Sequence, residues 1–251
     1  MAPSKLFKQT RKDARRDPAA AHQLARWYVE GLEGLEQDTS LWIRWEREAA
    51  ERGCADAQNA MGVAHRKGRF AHLGVERNLE KAREWFRKAS LQGQAESSFT
   101  LGVMFDSGEG VVQNYATAVS WLRKAVSQGD VLAMVRLGVM LREGRPGVEQ
   151  DCQASVELNL KAVEGGSVPA LWNLGLEYFR GVNGVLEKNV VTALSYCQRA
   201  ADLGQAQAAE VIGKAYWSGA EVVEGSRRIC SSQRSTHGSA PPRAMKAPSH
   251  T

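Results

Sequence analysis

Residues 94–129 read QAESSFTLGVMFDSGEGVVQNYATAVSWLRKAVSQG, and most of the chain on either side is an imperfect copy of this stretch. A repeating unit outranks any single motif as a guide to fold. The stretch itself divides into two short amphipathic helices. The first carries Ser98, Phe99, Leu101, Gly102 and Phe105 and stops at the Gly108/Gly110 pair. The second begins on Asn114, whose side-chain oxygen suits the free N–H groups of a helix start, and places Ala118, Trp121, Leu122 and Ala125 at helical spacing before Gly129.

Outward from this stretch the same template recurs. A Leu-Gly pair or close equivalent stands at Leu24-Ala25, Met61-Gly62, Leu101-Gly102, Leu137-Gly138, Leu174-Gly175 and Ile212-Gly213. A glycine follows each at a fixed distance, from Gly31 and Gly68 to Gly181 and Gly219. The second half recurs five times. Caps at Asp38, Asn78, Asn114, Asp151 and Asn189 lead to Trp45, Trp85, Trp121, Leu158 and Tyr196, and then to Ala49, Ala89, Ala125, Ala162 and Ala200. Register inside the helices is constant, and all length variation falls in the loop between them. An added loop residue costs little closure entropy, whereas one in a packed helix rotates its apolar face away from the core.

Residue size suggests how a hairpin packs. Alanine and glycine let two backbones approach, and the large ring is expected to fill the space between hairpins. On that expectation Trp121→Ala costs about 3–5 kcal/mol. One hairpin cannot bury both faces, so stability comes from stacking. The fold class is all-α, a right-handed α-solenoid of helix-turn-helix repeats over residues 17–219, with five near-complete hairpins and the first helix of a sixth. Residues 1–16 form a basic lead expected to be disordered. Residues 220–251, rich in Ser, Arg, Pro, Gly and Ala, are expected to be a disordered tail. The half-repeat reads either as a cap or as the mark of a truncated or alternatively translated product.

The chain has 251 residues, 43% hydrophobic and 24% charged, with no apolar run long enough for a membrane helix, which reads as soluble. The formal charge of +5 is unevenly placed: residues 1–16 hold six Lys/Arg against one Asp, and residues 220–251 hold five against two Glu. The 22 basic and 25 acidic side chains between them leave a mildly acidic body, which disfavours a nucleic-acid groove along the repeats. Cys54, Cys152, Cys197 and Cys230 form no CxxC and occupy unrelated repeat positions, and no Asn-x-Ser/Thr sequon occurs. Both features fit isolated thiols in a reducing, cytoplasmic setting. The lead has no apolar signal core, and its basic character makes a mitochondrial presequence the weaker alternative.

Together these residues carry a family likeness. Ala170, Leu174-Gly175, Tyr178, Gly181 and Gly184-Val185 in one copy, with Asn114, Ala118, Trp121, Lys124-Ala125 and Gly129 in another, resemble the Sel1-like repeat of the tetratricopeptide-like superfamily. The resemblance covers about residues 17–219, with His65, Phe105 and Leu141 in place of the usual Tyr and Leu158 in place of the usual Trp. The variable, glycine-flanked loop argues against tetratricopeptide repeats proper, and the acidic body against RNA-reading pentatricopeptide repeats.

The resemblance implies a scaffold or adaptor without catalysis, cofactor or metal, whose partners are proteins or peptides. By analogy with other helical-hairpin solenoids, the first helices line the binding groove. Positions flanking each Leu-Gly then nominate Phe99 and Asp106, Val135 and Arg142, Trp172 and Phe179, and Trp217 as groove residues. Trp172, Phe179 and Trp217 stand out because the repeating ring position is already taken by Tyr178 and Tyr216. The alternative reading is an accessory or regulatory subunit that docks through its basic tails on an acidic surface, whether protein, membrane or nucleic acid. Oligomeric state stays open. Several lesser motifs read as structural. Gly108-Glu109-Gly110 is a helix–helix turn, not a nucleotide loop; His65 is a packed histidine; His22 and His72 lack ligand-spaced partners; and Asp106 with Glu109 reads as a loop-edge pair facing water. The paired cysteines of relatives linked to β-lactam binding are missing.

Overall fold

The computed structural model describes residues 4–68, 70–182 and 184–217. It is an all-α molecule of the solenoid class, and its helices occur in successive antiparallel hairpins. After α1 (Lys5–Asp13) come α2 (Pro18–Glu30) with α3 (Thr39–Glu51), α4 (Ala55–Lys67) with α5 (Leu79–Leu91), and α6 (Ala95–Ser107) with α7 (Tyr115–Ser127). The remaining helices are α8 (Val131–Glu143) with α9 (Cys152–Glu164), α10 (Val168–Arg180) with α11 (Val190–Asp202), and α12 (Ala206–Trp217). The chain divides into two compact units, Met1–Ser167 and Val168–Thr251. Within the first unit α3, α5 and α7 each also pack on the first helix of the next hairpin, and in the second unit α11 packs on both α10 and α12.

Each hairpin starts its second helix in the same way. Asp38, Asn78, Asn114, Asp151 and Asn189 each accept a hydrogen bond from the backbone N–H three residues on, at 2.8–3.0 Å. Each such cap is worth about 1 kcal/mol. The cap's own amide reaches back across the loop and donates to a carbonyl of the first helix. The bonds run Asp38 to Tyr28, Asn78 to His65, Asn114 to Phe105, Asp151 to Leu141 and Asn189 to Tyr178, all at 2.9 Å. This bond closes the loop at a fixed point. Residues inserted above it therefore leave the helix pair undisturbed, which is why the period can vary while the register cannot. At the far side of one loop Gly68 ends α4 with φ +64°, and a Cβ there would lie 2.5 Å from Arg77 Cβ. Both the left-handed backbone and the close approach require glycine.

The core of a hairpin differs from the expectation in one respect. Trp45, Trp85 and Trp121 are only half-buried, and the fully buried position is the next residue: Glu46, Phe86, Leu122, Asn159 and Cys197. In the four hairpins that carry the Leu-Gly glycine, that residue faces it. A Cβ added to Gly62 would stand 2.7 Å from Phe86 Cδ1, one on Gly102 2.8 Å from Leu122 Cγ, and one on Gly175 2.5 Å from Cys197 Sγ. The missing glycine side chain makes room for its neighbour's large one, a pairing of small and large that native packing density demands. The ring therefore covers the cleft between hairpins without filling the core. Truncating Trp121 should accordingly cost less than the roughly 3–5 kcal/mol expected for a fully buried ring.

The lead also differs. Residues 1–16 contain helix α1, capped by Ser4 and held by Phe7, which is 4% exposed and packs on Trp27 and Tyr28 at centroid distances of 6.4 and 6.3 Å. Ala14 behind it is fully buried, and its carbonyl accepts a hydrogen bond from Arg52 at 2.7 Å. The tail expected to be disordered, residues 220–251, and Gly219 of the sixth copy lie outside the described residues.

Candidate functional site

In the first unit, the nominated first-helix positions take three different environments. Phe99 is half-buried and leans on the cluster around Leu122 and Leu137, while Val135 and Arg142 are half-buried on α8. Asp106 departs from the expected groove surface: its side chain is fully covered, and its two oxygens are held by Arg136 and Arg145. It ties α6 to α8 and to the loop after α8, so it serves as an internal link. Nearby, Arg66 grips Glu109 with Nη2 to Oε2 at 2.6 Å and holds its carboxyl below the usual carboxylate range. The pair expected to face water thus makes three ion pairs in two separate groups, each group joining one hairpin to the next.

The second unit presents Trp172 and Phe179 on α10, both half-buried. Tyr178, between them in sequence, turns to stack on Tyr196 at 5.6 Å between ring centroids. Ring stacking occupies the repeat's own aromatic position and leaves the other two rings to a different face. Trp217 closes α12, and its side chain lies outside the described part.

Two polar arrangements escaped the sequence. His22 Nδ1 lies 2.8 Å from Glu46 Oε1, with Glu46 1% exposed and its Oε2 without a partner among the described residues. The contact with Glu46 raises the His22 pKa above the ordinary imidazole value of 6.5, and burial pushes the Glu46 carboxyl upward. The other is the double-arginine clamp on Asp106, with Arg136 and Arg145 lying 30 and 39 residues away from it. Neither pairing leaves a periodic trace. His65 is packed, as expected, with Nδ1 3.1 Å from the Glu76 carbonyl. Cys54 and Cys152 are free and half-buried; Cys197 is free and buried, its thiol pushed up to about 11 by burial, and Cys230 lies outside the described residues. Among the described residues no group of three His, Cys, Asp or Glu could hold a metal ion, and no helix is long and apolar enough to cross a membrane.

The Sel1 repeat model matches residues 18–54, 55–94, 95–130, 131–167 and 168–205, one match for each hairpin. The chain belongs to the Sel1 repeat family. Among solved structures, it is similar to a protective antigen of uropathogenic Escherichia coli strains that displays an SLR fold. Identity there is 33% and the TM-score 0.76, covering 91% of this chain and 48% of that one. It is also similar to a Sel1 repeat protein from Oxalobacter formigenes, with 28% identity and a TM-score of 0.73 over 92% of this chain and 89% of that one. Among curated proteins, 87 residues are 31% identical to the chitin synthase regulator SKT5 of Malassezia restricta, covering 34% of this chain but 6% of the relative. The chain thus spans a small fraction of that relative and about half of the E. coli antigen. Sel1 repeats generally mediate protein–protein interaction, and the repeat is a non-catalytic interaction fold.

Proposed function

We propose that this Sel1 repeat protein is an adaptor that holds partner polypeptides on its first helices and performs no catalysis of its own. Trp172 and Phe179 are the anchors in the second unit; Phe99, Val135 and Arg142 extend the binding strip in the first, and Trp217 belongs to it by position. The reading rests chiefly on α10, where Trp172 and Phe179 keep open surface while Tyr178 is consumed by its stack on Tyr196. Half-open aromatic rings are the side chains that most often dominate binding energy at protein interfaces. A cytoplasmic setting accords with the free cysteines. The test is affinity purification of the intact chain alongside Trp172→Ala/Phe179→Ala, with helical content checked for both. Partners retained on the intact chain should be lost from the variant. Identical retention by a folded variant would rule the strip out.

A second reading has one observation in its favour. Phe7 pins α1 to the first hairpin while Lys5, Lys8, Arg11 and Lys12 stay exposed. A docked helix with a free basic face suits an accessory subunit that binds an acidic surface, and the likeness to a chitin synthase regulator gives that role some support. Reversing Lys8, Arg11 and Lys12 to Glu leaves Phe7 in place. It should abolish salt-sensitive binding if the basic lead is the dock, and leave binding intact if the strip is.

A further inference from the structure

The second helices of the first unit carry a feature that the first-helix strip does not explain. Between α5 and α7, over the floor made by α6, lies a cleft of about 320 Å³ lined by Trp121, Phe105 and Leu101 below and by Arg83, Arg87 and Glu84 at the rim. Between α3 and α5 lies a cleft of about 350 Å³ that repeats it one hairpin earlier. There Trp85 takes the place of Trp121, His65 that of Phe105, Met61 that of Leu101 and Arg47 that of Arg87. The third interval keeps Arg123 at the equivalent place, but its ring position is Leu158 and its cleft is lined by the loop of residues 147–151. Among the described residues of the first unit, the two matching clefts lie along α3, α5 and α7.

Charge distinguishes these clefts from ordinary packing gaps. Together they are lined by five cations, Arg47, Lys81, Arg83, Arg87 and Lys88, against the carboxylates of Glu51 and Glu84. None of the five cations is in an ion pair among the described residues, although the body of the chain is acidic overall. The rings beneath are half-buried, and each has its face toward a lysine: Lys88 Nζ lies 4.5 Å from the Trp85 ring centre and Lys124 Nζ 5.4 Å from that of Trp121. A cation on the ring leaves the indole edge and the apolar floor for a guest, while the unpaired arginines call for a negative one.

We infer that the face formed by α3, α5 and α7 binds an acidic peptide segment, with one apolar side chain of the peptide entering each cleft and its carboxylates meeting Arg47, Arg83 and Arg87. Nucleic acid fits the same cations less well. The ring faces on which its bases would stack are already covered by Lys88 and Lys124. This surface is separate from the first-helix strip, so the two stand or fall independently.

The probe is a fluorescein-labelled peptide of alternating Glu and Phe, followed by fluorescence anisotropy with the full chain. Saturable binding that weakens with added salt is expected. A Lys/Phe peptide and a Glu/Ser peptide should each bind at least about tenfold more weakly. Arg83→Glu/Arg87→Glu should weaken binding of the Glu/Phe peptide by at least about tenfold with the thermal melt unchanged, and Arg83→Lys/Arg87→Lys should restore most of it. If the reversal variant melts early, Arg87→Gln alone supplies the same comparison with a smaller loss. Lys161→Glu, which reverses an exposed cation outside both clefts, should bind the probe as the parent does, and Trp172→Ala/Phe179→Ala shows whether the strip takes the probe instead. No binding by the parent, equal binding of all three peptides, displacement by poly-uridine at comparable concentration, or loss only in the Trp172→Ala/Phe179→Ala chain would each overturn the inference.

Discussion

The hairpins α4–α5 and α2–α3 are built on the same template, yet one closes its core on Phe86 and the other on Glu46. Both residues follow the half-buried tryptophan, and both are essentially inaccessible, at 0% and 1% exposure. In the first case Gly62 supplies the space and the ring fills it. In the second, a carboxylate is taken out of water and compensated by His22. The repeat thus dictates where two backbones meet and which side chain lies between them, and it tolerates very different chemistry there. What it cannot tolerate is an unfilled space or an unpaired charge.

The comparison can be broken most forcefully at its apolar end. Phe86→Ala leaves a void against Gly62 and should lower unfolding free energy by about 3–5 kcal/mol in urea titrations. A loss under about 1 kcal/mol would mean that the contact does not organise the hairpin. At the polar end, His22→Ala strands Glu46 and should cost up to about 3 kcal/mol, whereas His22→Leu/Glu46→Leu should recover that loss or exceed the parent. If the double variant is no better than the single, the pair is a net stabiliser and the two hairpins differ more than the template suggests.

The smallest effect is the most specific. In the folded chain Glu46 holds the His22 proton more tightly than the unfolded chain does, so the linked stability is fully present below about pH 6.5 and declines as pH rises through the raised value. The upward shift of Glu46 by burial acts in the same direction, since ionising it in the core is unfavourable. Melting temperature should therefore drift down from pH 6 to pH 8.5, about, and the drift should flatten in His22→Leu/Glu46→Leu. A parent melt that rises over this range would reverse the assignment of the pair.

How much of this was legible beforehand depends on whether a residue repeats. Asn78, Asn114 and their equivalents could be read as caps because cap geometry admits few residue types. The glycines ending each first helix could be read for the same reason. The position after the ring could not, because Glu46, Phe86, Leu122, Asn159 and Cys197 share burial but no chemical property, so no period marks them. The neighbouring tryptophans repeat conspicuously, and their size suggests full burial between hairpins, where the structure leaves them half-buried. Asp106 was misplaced on an open groove because its arginines lie a full repeat or so away in sequence and belong to single hairpins. Helix α1 reads as a charged lead because Phe7 is its one buried helical side chain and its other ties, Arg52 to the Ala14 carbonyl and Ser4 to Glu33, link residues far apart in sequence.

Trp121 and Leu122 are adjacent in sequence and test the account together. Leu122 lies in the core of its hairpin and Trp121 lines the cleft between hairpins. Urea unfolding of Leu122→Ala and Trp121→Ala under one set of conditions decides between these roles. Leu122→Ala is predicted to lose about 2–5 kcal/mol and Trp121→Ala distinctly less. A larger loss for Trp121→Ala would be the contradicting result, placing the tryptophan in the core of its hairpin and not over the cleft.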